Sequence, residues 1–76
     1  MAAKAFVLIE TAVGRTREVA AALKKLGGVK SVDTVTGPYD IIVIIEAAGL
    51  NDIGDLVTGK IHPIAGISRT VTCLTI

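Results

Sequence analysis

The feature that most constrains the fold is a run of five aliphatic residues at positions 41–45, which directly follows a turn-like sequence at 37–40. Glycine, proline and aspartate favour a tight turn, and the aliphatic run has the length and composition of a β-strand. Successive side chains of a strand point to opposite faces of its sheet, so both faces here are apolar. Since a 76-residue chain can cover one face with its helices, we expect a second copy, or a partner, to cover the other.

Composition restricts the class of protein. The length fits one domain over residues 1–76, and a domain this small is marginally stable unless something is added. Cys73 is the single cysteine, which excludes an internal disulfide and the usual zinc patterns. No apolar run is long enough to span a membrane, and no secretory signal is visible. Eight basic and seven acidic residues leave too little charge for direct nucleic-acid binding. A soluble, cytoplasmic protein is the expectation.

The chain divides into six predicted elements. Short aliphatic runs predict strands, and apolar residues at helical spacing predict helices. Val19, Ala22, Leu23 and Leu26 mark the inner side of the first helix, and Gly54 and Gly59 predict that the second is short or frayed. The predicted order is strand 4–11, helix 15–26, strand 29–36, strand 40–47, helix about 53–61 and strand 67–76.

This order predicts an α+β, ferredoxin-like βαββαβ fold with a four-stranded antiparallel sheet. Right-handed crossovers place the first and third strands at the centre and both helices on one face. The strand at 29–36 is the least apolar and is predicted to be an edge. Aliphatic side chains on the uncovered face would cost about 1.5–3 kcal/mol each, which favours a dimer.

The turn and the last strand resemble a known family. The sequence 36–40 (TGPYD) before an aliphatic strand, together with 66–72 (GISRTVT), is similar to the effector-binding domain of the Lrp/AsnC transcriptional regulators, also called the regulation-of-amino-acid-metabolism domain. The resemblance covers nearly the whole chain. It implies a dimeric αβ-barrel, a ring of dimers, and an amino acid bound between dimers near the turn. Because the sequence begins at the first strand of that domain, with no helix-turn-helix segment, it is similar to the stand-alone members.

The resemblance also implies ligand-binding residues. Carried over by position, Gly37, Tyr39 and Asp40 would border the ligand, and Thr70 and Thr72 would contribute hydroxyl groups. The chemistry is suitable, since glycine lets the backbone approach a ligand and a carboxylate accepts from an ammonium group. Peptide N–H groups exposed at a turn can hold a carboxylate.

Each turn residue also has a purely structural explanation. Gly37 and Pro38 suit a hairpin, and Asp40 can bond its own backbone. Tyr39 can cover the end of a barrel or contact a second subunit. Pro38 has no N–H to offer a ligand. The sequence leaves both interpretations open.

Other ionisable or reactive residues give no catalytic pattern. Glu10 and Glu46 end the two central strands, which we predict to be parallel, so the carboxylates would lie at one end; the alternative is two solvated strand ends. His62 follows the second helix and is predicted to be a helix-end residue. Cys73 is predicted to be a small buried hydrophobe. We expect no catalytic residues, no metal and no cofactor.

The predicted function is therefore non-enzymatic. We expect an oligomeric module that senses an amino acid and regulates transcription through a full-length, DNA-binding Lrp/AsnC-type partner. One alternative is a small dimeric-barrel enzyme for a hydrophobic substrate, assisted by Tyr39 or the glutamates. Another is an ACT-like regulatory or structural oligomer. Fold alone does not separate these functions.

Overall fold

The computed structural model describes residues 2–76 and has the predicted βαββαβ order. The strand order in the sheet is β2-β3-β1-β4, and each neighbouring pair is antiparallel. The α+β, ferredoxin-like prediction is confirmed, including central first and third strands. The elements are β1 (Ala3–Thr11), α1 (Thr16–Lys24), β2 (Val29–Thr34), β3 (Ile41–Ala47), α2 (Leu50–Leu56), a π-helical turn (Val57–Ile61) and β4 (Ile67–Leu74).

One face of the sheet packs against both helices. Alternate residues of β1 and β3 are fully buried, and they meet apolar residues of α1, α2 and the π-helical turn. All of these side chains are aliphatic, so the core is held by close packing and burial. The core consists of Ala5, Val7, Ile9, Val19, Ala20, Leu23, Ile41, Val43, Ile45, Ile53, Val57 and Ile61.

The opposite face of the sheet is apolar and has no helix packed on it within residues 2–76. Phe6 is paired with Ile44, and Leu8 lies between Ile42 and Val71 on the neighbouring strands. All five side chains are half-buried in the single chain. We call these five residues the open face. A contiguous apolar patch of this kind marks an interaction surface.

The helices differ from their predicted lengths. α1 is shorter at both ends than predicted and is followed by Gly28 in the left-handed region, with a φ of +88°. α2 begins earlier than predicted, at Leu50, and continues into the π-helical turn, where the His62 N–H donates to the Val57 carbonyl at 2.8 Å. The helical segment therefore covers residues 50–61, so the prediction of a short or frayed helix at about 53–61 is wrong.

Both edge strands contain a β-bulge near one end. In β2 the register shifts between Val29 and Ser31, so Lys30 is the extra residue. Val29 and Val32 consequently both pack against the core, although simple alternation predicted opposite faces. In β4 the shift leaves Ser68 as the extra residue, between the partners of Thr11 and Glu10. At each bulge the positions that face the core change from odd to even numbers. The amino-acid pattern did not show this change.

The predicted pairing of Glu10 and Glu46 is wrong. β1 and β3 are antiparallel, because β3 returns from β2 through a hairpin and β2 runs in the same direction as β1. Glu46 therefore lies opposite Lys4, whereas Glu10 lies opposite Arg69 at the other end of the sheet. The two carboxylates cannot act together within one chain.

The predicted burial of Cys73 is also wrong for the single chain. Cys73 is exposed and lies opposite Phe6, at the side of the open face. Its strand, β4, is an edge strand, so a neighbour is missing on one side. The prediction assumed a covered strand, and only a partner subunit could provide that cover.

The first expected result concerns Gly66, which has a φ of +99° and lies against α1. A Cβ atom there would lie 3.0 Å from both Arg15 Cβ and Val19 Cγ2. We expect Gly66→Ala to lower the free energy of unfolding by about 1–3 kcal/mol, through backbone strain and this overlap. Urea unfolding followed by circular dichroism measures the change. Gly27→Ala is the control, because its Cβ would meet no atom within 4 Å; equal losses in both variants would contradict the explanation.

Candidate functional site

The turn between β2 and β3 is fixed at its base and open at its tip. The Val35 N–H donates to the Asp40 carbonyl, and the Asp40 N–H donates to the Ile9 carbonyl on β1, each at 2.9 Å. At the tip Gly37 has a φ of +142°, and no atom lies within 4 Å of the position a Cβ would take. The sequence prediction of a glycine-dependent turn with an accessible backbone is consistent with this geometry.

The Asp40 carboxylate joins the turn to two other elements. Its Oδ2 atom accepts from the Thr11 N–H at 2.8 Å and from the Thr11 hydroxyl at 3.2 Å. The Thr11 hydroxyl oxygen is also 2.6 Å from that of Thr16, the first residue of α1. Oδ1 has no hydrogen-bond donor among residues 2–76. One carboxylate oxygen thus stabilises the fold, and the other is available.

Two peptide groups of the turn are also available. The N–H groups of Gly37 and Tyr39 have no acceptor in the part of the chain that the structure describes, and Pro38 has no N–H. Peptide N–H groups of a turn bind carboxylates, and a carboxylate oxygen binds an ammonium group. The turn therefore presents two donors and one anionic acceptor within the four residues 37–40.

Tyr39 links the turn to the last strand. The Cζ atom of Arg69 lies 6.0 Å from the centroid of the Tyr39 ring, at the outer limit of a cation–π contact. Arg69 is opposite Glu10 in register, and the Ser68 hydroxyl donates to the Glu10 carbonyl at 3.0 Å. An aromatic ring and a guanidinium group therefore lie beside the turn at this end of the sheet.

Thr70 and Thr72 lie on the other side of the sheet from Arg69. They are opposite the core residues Ile9 and Val7, on the face that the helices cover. The Thr70 hydroxyl oxygen is 3.0 Å from His62 Nε2. His62 directly follows the π-helical turn, which agrees with the prediction of a helix-end residue. Thr72 lines a groove of about 270 Å³ between β4 and α2. Within residues 2–76 no hydrogen bond joins either hydroxyl group to the turn.

Sequence reasoning missed three residues of this region. Thr11, Thr16 and Arg69 contact turn residues or their partners, yet each is distant from the turn in sequence. The only available signal was Arg69 itself, a charge within a strand that otherwise alternates threonine and apolar residues. Arg69 is opposite Glu10 and, by simple alternation along β4, on the same face as Val71 of the open face.

Chemistry of other kinds has little support in the described chain. No group of three or more histidine, cysteine, aspartate or glutamate side chains within residues 2–76 could hold a metal ion. Over the same residues, no helix has the length and apolarity needed to cross a membrane. The site geometry is therefore that of an exposed turn with free polar groups.

A family model supplies the identification. The model of the Lrp/AsnC ligand-binding domain matches residues 4–76, nearly the whole chain. The chain belongs to the Lrp/AsnC family. The resemblance inferred from the turn and the last strand is confirmed.

Known proteins similar to this Lrp/AsnC domain include regulators and isolated domains. An uncharacterized HTH-type transcriptional regulator of Pyrococcus furiosus, PF0250, is 39% identical over 71 residues, which are 90% of this chain and 47% of the regulator. The crystal structure of FFRP-DM1 superposes with a TM-score of 0.93 at 38% identity, covering 97% of this chain and 99% of that one. TTHA0845 from Thermus thermophilus gives 0.93 at 34% identity, covering 97% and 92%.

The lengths of these proteins differ. The Lrp/AsnC domain spans about half the length, or less, of the curated regulators that it matches. It spans nearly all of FFRP-DM1. The matching part of the regulators is therefore a domain that also occurs as a similarly short chain in solved structures.

Proposed function

We propose that this Lrp/AsnC domain is a non-enzymatic, oligomeric sensor that binds an amino acid at the turn formed by residues 37–40. The observation that carries the proposal is the group of free atoms at that turn: two peptide N–H donors and Asp40 Oδ1. An α-amino acid has a carboxylate and an ammonium group on one carbon. The donors suit the former and the carboxylate oxygen suits the latter.

Two solved structures with the same fold support an amino-acid ligand. NMB0573 of Neisseria meningitidis is an L-methionine complex, at 20% identity and a TM-score of 0.87, covering 97% of this chain and 49% of that one. The feast or famine regulatory protein Rv3291c of M. tuberculosis is also a methionine complex, at 22% identity and a TM-score of 0.80, covering 97% and 50%. Methionine is therefore the first amino acid to test.

The open face supports the oligomeric part of the proposal. Two copies that pack Phe6, Leu8, Ile42 and Ile44 against each other would form the dimeric αβ-barrel that the resemblance implies. Covering these residues stabilises the dimer through the hydrophobic effect. A ring of dimers and an effector site between dimers remain predictions from the resemblance, and a cytoplasmic location remains a prediction from the composition.

Regulation of transcription is the proposed result of binding. The regulator PF0250 is named as an HTH-type protein, and mixed assembly with such a partner would bring the sensor to DNA. A segment of homocitrate synthase from Sulfurisphaera tokodaii is also similar, at 36% identity over 59 residues, which are 78% of this chain and 13% of the enzyme. A sensing role would suit a domain that resembles parts of both kinds of protein.

The experiment is equilibrium dialysis of the full chain against the amino acids, methionine first, with two variants of Asp40. Asp40→Asn keeps an oxygen that can accept from Thr11 but replaces the free anionic oxygen. We expect it to weaken amino-acid binding by about 10- to 100-fold, the value of a hydrogen bond to a charged group. Its stability should stay close to that of the wild type.

Asp40→Ala separates the two roles of the carboxylate. It removes the bonds to Thr11 as well, so we expect both lost binding and a lower midpoint in urea. Full binding by Asp40→Asn would place the ligand elsewhere. Binding of no amino acid by the wild-type chain would overturn the proposed sensing function.

A further inference from the structure

Arg69 has the features of a carboxylate-binding residue. It is exposed on β4, and no acidic oxygen lies within 4.0 Å of its guanidinium nitrogens among residues 2–76. Glu10 is directly opposite in register, but the Ser68 hydroxyl lies 3.5 Å from its Oε1 and 3.0 Å from its carbonyl. The carboxylate of Glu10 therefore makes no ion pair with Arg69, and the charge of Arg69 has no ion-pair partner among the described residues.

The contact with Tyr39 leaves the hydrogen-bonding edge of Arg69 free. The centroid of the Tyr39 ring is 6.0 Å from Arg69 Cζ, at the outer limit of a cation–π contact. A cation–π contact does not use the N–H donors of a guanidinium group, which lie in its plane. A planar fork of unpaired donors suits bidentate binding of a carboxylate.

The position of Arg69 joins it to the turn. Tyr39 contacts Arg69 and lies between Gly37, whose N–H has no acceptor among residues 2–76, and Asp40, whose Oδ1 has no donor there. Arg69 is at the end of the sheet beside the turn, two strand positions beyond Val71 of the open face. A ligand held by the turn and a group held by Arg69 would therefore share one end of the sheet.

We infer that Arg69, supported by Tyr39, binds a carboxylate of the effector. This inference rests on the proposed function, because it concerns the same turn. The carboxylate has two possible sources: the α-carboxylate that every amino acid carries, and the side-chain carboxylate of an acidic amino acid. Both need the same planar donors from Arg69, and analogues that lack one carboxylate distinguish them.

The test is calorimetric titration of the full chain and of Arg69→Gln with two pairs of ligands. Methionine and methioninol differ by the α-carboxylate, and glutamate and glutamine differ by the side-chain carboxylate. We expect Arg69→Gln to bind the carboxylate-bearing member of one pair about 10- to 100-fold more weakly, and the other member unchanged. The pair that responds identifies the source. Equal binding of all four ligands by Arg69→Gln and the wild type would overturn the inference.

Matched variants separate recognition from general charge and from folding. Arg17 is an exposed arginine on α1, and Arg17→Gln is expected to bind as the wild type does. Arg69→Lys keeps the charge but not the planar fork, so partial binding is expected. Tyr39→Phe keeps the aromatic face, whereas Tyr39→Leu removes it and should weaken binding by about 2- to 5-fold. Equal effects of the Arg17 and Arg69 variants would contradict a specific site.

A second measurement distinguishes failure of this inference from failure of the proposed function. The Nε–Hε signals of Arg69 and Arg17 can be followed by NMR during titration with propionate, a carboxylate without an ammonium group. If the wild-type chain binds no amino acid but propionate shifts the Arg69 signal selectively, the sensing function fails and the carboxylate site stands. If propionate shifts neither signal, or both equally, the carboxylate site fails.

Discussion

A Leu8→Asp variant is expected to be monomeric at concentrations where the wild-type chain is a dimer. Leu8 lies in the middle of the open face, between Ile42 and Val71. In a two-fold dimer the change occurs twice, and each copy loses the burial of a leucine, about 1.5–3 kcal/mol, before the cost of placing a charge there. The dissociation constant should rise at least about 100-fold. Sedimentation equilibrium over a concentration series measures it.

The control for this variant is Leu50→Asp. Leu50 is a 63% exposed leucine at the start of α2, on the helix side of the molecule. An aspartate in the first turn of a helix is tolerated or slightly favourable. We expect Leu50→Asp to remain dimeric. A wild-type chain that is monomeric at micromolar concentration, or a Leu8→Asp variant that dimerises normally, would disprove association through the open face.

The second large effect is expected from Leu23→Ala. Leu23 is fully buried where α1 packs on the sheet, so its truncation leaves a cavity among aliphatic side chains. Truncations of this kind cost about 2–5 kcal/mol. That is a large part of the roughly 5–15 kcal/mol that stabilises a typical domain. A large shift of the urea midpoint, measured at one fixed protein concentration, is the expected result.

Leu50→Ala makes the same chemical change at the exposed leucine, where we expect a shift within about 0.5 kcal/mol. Both variants are compared at equal concentration, because dissociation of an oligomer contributes to apparent stability. If the two variants unfold at the same urea concentration, the buried side of α1 has been assigned incorrectly.

The strand order could be predicted from sequence because two signals agreed. The most apolar runs, in β1 and β3, are the central strands, and the spacing of Val19 and Leu23 gives the inner side of α1. Composition also gave β2 as an edge strand. The helical spacing is a local signal, and the apolar character of a strand is an average over its whole length. Both can be read from a single sequence.

The direction of the strands, and which side chains of a bulged strand face the core, were harder to predict from the sequence. The mistaken position of Glu46 relative to Glu10 came from treating adjacent central strands as parallel, whereas the hairpin from β2 reverses β3. Simple alternation along β2 would place Val29 and Val32 on opposite faces, and one extra residue at Lys30 puts both against the core. A bulge has no strong signature here, since neither bulged residue is glycine.

The candidate site was predicted in part. The turn itself followed from its glycine and proline, and its free polar groups agree with a ligand site. The bond from Asp40 to Thr11 and the contact of Tyr39 with Arg69 join residues 29 and 30 positions apart. Such contacts depend on the three-dimensional pairing of strands. Family resemblance gave Thr70 and Thr72 as ligand residues, and the structure places them on the helix side of the sheet.

The bulges at Lys30 and Ser68 affect how the chain can aggregate. A regular edge strand exposes a row of unpaired peptide groups, and another chain can add to it to start a fibril. Here each edge strand contains a bulge near one end. The bulge shortens the regular row of peptide groups and twists it away from an added chain. Addition of chains at the margins of the sheet is therefore disfavoured. A chain that is 51% hydrophobic can in this way resist open-ended polymerisation at its sheet edges.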